Sequence, residues 1–115
     1  MINWDQVKQL EEDIGAEDFG DVVVMFIEEV DEAVDTLRTD PQLSDDDLAA
    51  AMHFLKGSAA NLGLNDFAGY CSDSEKKAQS GESAQVNLST VVTLYDQSKV
   101  LFLGDVSKHT SFVPE

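Results

Sequence analysis

The sequence predicts an all-α protein, an up-down-up-down four-helix bundle with a short additional helix at the N-terminus. Three observations carry this. Apolar residues recur at steps of three and four along nearly the whole chain, the signature of helices with one buried stripe. Only 2 prolines and 7 glycines interrupt 115 residues. Hydrophobic residues make up 43% of the chain, enough for a single core at this length.

The first helix is expected over about Trp4–Ile14, with Val7, Leu10 and Ile14 on one side and Gly15 as its C-terminal cap. The next, about Glu17–Arg38, repeats Phe19, Val22, Val23, Phe26, Ile27, Val30, Val34 and Leu37, a stripe wide enough to face a bundle. Its other side is acidic, with Glu28, Glu29, Asp31, Glu32 and Asp35. Thr39-Asp40-Pro41-Gln42 breaks the pattern, because proline cannot continue a helix interior. Ser44 then reads as an N-cap with Asp47 as its capping-box partner, and Asp45, Asp46 and Asp47 suit the positive end of a helix dipole. This third helix should run to about Leu62 and stop near Gly63. Asn65 is expected to cap a fourth, ending at Gly81, and Ser83 to open a fifth that runs through Val106. Residues 1–107 form one domain in this scheme, and 108–115 a loose tail. Four long helices with short connections pack as antiparallel neighbours.

Composition bounds the function. With 23 acidic residues and a formal net charge of -16, the chain is expected to bind neither nucleic acid nor an anionic membrane surface. No apolar run approaches the roughly 18 residues that would span a bilayer. The start Met1-Ile2-Asn3-Trp4-Asp5 lacks the basic and apolar regions of a signal peptide. A single cysteine permits no intrachain disulfide, and Cys71 falls on the stripe of Leu64, Phe67 and Ala68 as a small core residue. A cytoplasmic location is the expectation.

Against this acidic background, Leu48–Asn65 holds no Asp or Glu, and its only formal charge is Lys56. On a helical wheel of about 100° per residue, Leu48, Ala51, Met52, Leu55, Ala59 and Leu62 share the core face. His53 lies about 160° from the centre of that face and points to water. Its helical neighbours are Ala49, Ala50, Lys56, Gly57 and Ala60, four of them nearly without side chain. Gly57 costs about 1 kcal/mol relative to alanine inside a helix. A partner surface that must approach the imidazole closely would account for that cost. Alanine is also simply a good helix former, and Gly57 could instead permit a close helix–helix contact. An exposed imidazole with one adjacent lysine, in a window cleared of carboxylates, suits the acceptance of an anion. A metal or haem bundle is disfavoured, since Met52 and His53 point about 100° apart. No Glu-x-x-His pattern or EF-hand spacing supports a metal site, and none is assigned.

The run His-Phe-Leu-Lys-Gly-Ser-Ala-Ala-Asn-Leu-Gly-Leu, His53–Leu64, resembles the signature of histidine-containing phosphotransfer (HPt) domains. The pattern is histidine, lysine three on, glycine four on, small residues, and glycine ten on. Cys71 also falls where some members carry a cysteine. The resemblance implies that His53 accepts a phosphoryl group, that Lys56 stabilises its oxygens, and that Gly57 leaves room for a partner. Ala49, Ala50 and Ala60 would complete the docking face. It further implies response-regulator receiver domains, or a hybrid sensor kinase, as partners. Phosphate would pass from an aspartyl phosphate to His53 and on to a second aspartate. Mg²⁺ would come from the receiver, and no cofactor would be bound by this chain. Some members place a glutamine of the next helix near the histidine. Here that position is Glu75, which would repel a phosphoryl group if it pointed inward; Lys76, Lys77 or Gln79 could substitute, or Glu75 could turn away. The chain contains no nucleotide-binding glycine loop and is expected to be a phosphocarrier without ATP-dependent kinase activity. The alternative is a non-catalytic helical module that binds receivers without transfer.

Overall fold

Five helices build the protein in its computed structural model, which describes residues 2–40 and 43–114. They are α1 (Trp4–Ile14), α2 (Ala16–Thr39), α3 (Asp45–Asn61), α4 (Asn65–Gln79) and α5 (Leu88–His109). Each of α2 and α4 packs against both α3 and α5, which closes a four-helix ring. The short α1 lies outside this ring against α2 and α3. At 1.5 Å per residue the 24-residue α2 is about 36 Å long, which sets the 42 Å long axis of a molecule 22 Å by 20 Å across.

The core is the meeting of the predicted stripes. Phe19, Val23, Val30, Val34 and Leu37 come from α2; Leu48, Met52, Leu55 and Ala59 from α3; Phe67, Cys71 and Ala78 from α4; Val91, Tyr95, Phe102 and Val106 from α5. Ala51, assigned to the same face of α3, sits half-buried at its edge. Burial pushes the Cys71 thiol up to about 12, so it packs as a small apolar group.

Helix ends follow local chemistry, with two departures from the sequence expectation. Asn3 caps α1 by accepting from the Gln6 amide, and Ser44 caps α3 by accepting from the Asp47 amide at 3.1 Å. Gly15 closes α1, its amide donating to the Glu11 carbonyl at 2.8 Å. Asn65 does not cap α4: the cap residue is Leu64, which has no side-chain hydrogen bond, and Asn65 is already helical. Leu64 is instead fixed by burial and by a backbone bridge to Ile2. Ser83 does not open α5 either. It begins a single 3-10 turn, Ser83–Gln85, and its hydroxyl donates to Asp45 at the start of α3. The cap of α5 is Asn87, which accepts from the Thr90 amide at 3.1 Å. The expected break at Pro41-Gln42 lies outside the described residues.

Within 108–115, the expected tail, Lys108 and His109 complete α5. Its next residues make defined contacts. The His109 ring stacks on Trp4 at 4.1 Å, the Ser111 amide donates to Glu11, and Phe112 meets Phe19 edge-on. No helix among the described residues is long and apolar enough to cross a membrane.

Candidate functional site

The site is built where the outward face of α3 meets the flank of α4. His53 stands as the wheel places it, with 71% of its side chain exposed. Ala50, Gly57 and Ala60 are exposed beside it. Ala49 is half-buried and packs against the core at the border of the open face. A β-carbon added at Gly57 would meet nothing within 4 Å. Among the described residues, no neighbouring helix therefore requires a glycine here. Phe54, next to His53 and one turn from both Ala50 and Gly57, leaves 40% of its surface in water. It adds exposed apolar surface that the charge pattern alone does not single out.

Glu75 is the decisive difference from the expectation. It neither turns away nor cedes its place: Lys76, Lys77 and Gln79 are exposed on α4. Glu75 points to α3, and only 10% of its side chain is accessible. Among the described residues it is the only buried charged side chain. Burial of a charge is tolerated when hydrogen-bonded partners surround it. One carboxylate oxygen accepts from Lys56 Nζ at 2.7 Å, and the other lies 2.9 Å from His53 Nδ1. Lys56, with the cation closest, holds the Glu75 carboxyl below its usual range; burial opposes this, and the His53 contact adds to the lowering. Glu75 thus holds two hydrogen-bonding partners, one of them a cation.

The tautomer of His53 follows. An ionised carboxylate only accepts hydrogen bonds, so the Nδ1 it contacts carries the proton. In the neutral ring the lone pair is then on Nε2. His53 is thus an exposed imidazole whose outer nitrogen is available as a nucleophile and whose inner nitrogen is anchored. A signal for Glu75 did exist in the sequence. It stands four residues after Cys71 and eight after Phe67, on the edge of the α4 core stripe, where a carboxylate needs cationic company.

One surface groove runs along Asp96, Gln97, Val100 and Leu101 of α5. Among the described residues, no group of three or more His, Cys, Asp and Glu side chains is arranged to hold a metal ion.

The described residues thus form an all-α bundle that presents an anchored, exposed histidine beside a lysine and a glycine. The Hpt domain family model matches residues 21–100, well over half of the chain and inclusive of the entire site. The chain belongs to the Hpt domain family. Hpt domains serve phosphotransfer in two-component phosphorelays, where they engage receiver domains and kinases. No curated protein and no solved structure matches the chain significantly.

Proposed function

We propose that this protein is a phosphocarrier that relays a phosphoryl group between aspartates of receiver domains through a phosphohistidine at His53. The observation that carries the proposal is the anchored and exposed imidazole: Glu75 holds Nδ1 at 2.9 Å while 71% of the side chain faces water. In the forward step the Nε2 lone pair attacks phosphorus, the N–P bond forms, and the P–O bond to the donor aspartate breaks. The electron pair of that bond leaves with the donor carboxylate. The second step is the same reaction in reverse onto another aspartate.

Such transfers depend on in-line alignment and on neutralising charge at the phosphoryl oxygens. Lys56 is the cation at hand, and it would exchange its Glu75 contact for the phosphoryl group on loading. One ammonium is little for that task, so Mg²⁺ held by receiver carboxylates would supply the rest. Gly57, Ala50 and Ala60 would admit the receiver surface, and Phe54 would supply apolar contact at its rim.

The test is to charge isolated receiver domains with a small acyl phosphate and follow acid-labile label into this chain. His53→Gln should abolish labelling with the helical circular dichroism unchanged. Persistent label in that variant would place the acceptor elsewhere. Receiver binding by the wild-type chain without any transfer would mark a docking module that has lost the chemistry.

A further inference from the structure

We infer that Glu75 is a positioning residue that keeps the phosphorylated His53 ring protonated at Nδ1, so that the carrier discharges quickly instead of storing phosphate. This rests on the proposed acceptor role of His53.

A neutral imidazole phosphorylated at Nε2 becomes a cationic ring for as long as Nδ1 retains its proton. When the phosphoryl group departs from that cation, the N–P electron pair returns to Nε2. The ring leaves as neutral imidazole, with Nδ1–H still in place. If Nδ1 has lost its proton, the same bond cleavage must expel an imidazolate anion, a far poorer leaving group. Protonation at Nδ1 therefore governs how readily the phosphoryl group moves on.

Glu75 is built to favour the cation. Its carboxylate contacts Nδ1 at 2.9 Å, whereas a phosphoryl group on Nε2 hangs from the opposite side of the ring, roughly twice as far away. Repulsion between the carboxylate and the phosphoryl oxygens is the same whether or not Nδ1 keeps its proton, so the attraction to the cationic ring is what decides the protonation. A glutamine in this place could accept the same hydrogen bond but would bring no countercharge. Of the other charges nearby, Lys56 of α3 contacts the carboxylate at 2.7 Å in the unloaded site, whereas Asp73, Lys76 and Lys77 of α4 are exposed. Asp46, seven residues before His53 on α3, is about 10 Å away along the helix axis, near the screening length of physiological salt. Among the described residues, α2 and α5 send no ion pair to His53 or Glu75. With the proton held throughout, each transfer cycle starts and ends in the same tautomer and needs no proton movement at His53.

The full chain can be loaded without a partner by phosphoramidate, with ³¹P NMR used to follow ring protonation against pH and the decay of the phosphohistidine. In Glu75→Gln the ring should lose its proton about one pH unit lower than in wild type, and the phosphohistidine should survive about tenfold longer near pH 8. Lys56→Ala removes a positive charge beside the ring and should move the titration the opposite way. Identical ring titration and decay in wild type and Glu75→Gln, with His53 loaded in both, overturns the proposal and leaves His53 as the acceptor. Equal incorporation into wild type and His53→Gln, zero included, removes the acceptor and this proposal with it.

Discussion

Gly57 and Gly63 lie in the same helix and turn, yet answer to different demands. Among the described residues, no neighbouring segment comes within 4 Å of where a Gly57 β-carbon would stand. Gly57→Ala should therefore stabilise the protein by up to about 1 kcal/mol in urea denaturation, since alanine is the better helix former. The bulky Gly57→Gln should slow phosphotransfer mainly by weakening receiver docking, seen as a higher half-saturation with little change in the maximal rate. An unchanged half-saturation would mean that no partner surface approaches there. His53, Lys56 and Gly57 were legible in the sequence because an outward histidine among small residues contradicts the usual chemistry of a solvated helix face. Glu75 was legible only as a position. Which way its side chain turns depends on the close apposition of α3 and α4, and no helical wheel contains that.

At the scale of elements, Gly63 joins α1 to the turn that leads from α3 into α4. Its φ of +74° is left-handed, and an added β-carbon would stand 2.6 Å from the Asn3 carbonyl oxygen and 2.9 Å from Val7 Cγ2. Its own carbonyl accepts from the Asn3 amide at 2.7 Å. Gly63→Ala should cost roughly 1–3 kcal/mol from backbone strain, with loss of α1 docking added. Opposite signs for Gly57→Ala and Gly63→Ala in the same denaturation experiment would separate clearance for a partner from closure of the fold. The glycine ten residues past the histidine thus belongs to packing, although it sits inside the functional signature. The helices themselves were readable from periodicity. Their starts were less so: Asn65 and Ser83 are good capping residues by type, but Leu64 is held by burial and Ser83 by Asp45 across the bundle. Local propensity yields where tertiary contacts fix the backbone first.

Across the whole molecule, α2 and α5 are tied by a second polar cluster remote from His53 in role. Tyr95 donates to Asp31 at 2.6 Å, and Lys99 reaches both oxygens of the same carboxylate at 2.8 and 3.0 Å. Burial first, and then the Asp31 hydrogen bond, push the Tyr95 phenol well above its usual range. The folded state therefore retains a proton that the unfolded chain releases near pH 10. Its contribution is complete below that pH and is lost as pH rises beyond it. Tyr95→Phe should cost about 1.5 kcal/mol near neutrality and make the alkaline fall in stability shallower than in wild type. Parallel alkaline curves for the two proteins would show that the phenol does not report on folding.

The sequence by itself determined the helical class, the core stripes, the exposed histidine and the carboxylate-free stretch around it, because all of these are properties of a single helix and its period. Only the tertiary structure decided that Glu75 reaches across to His53 and Lys56, and that Gly63 lies against Asn3. It also decided that a β-carbon at Gly57 would meet no neighbouring segment among the described residues. These are distances between segments far apart in the chain, and they exist only once the helices have packed.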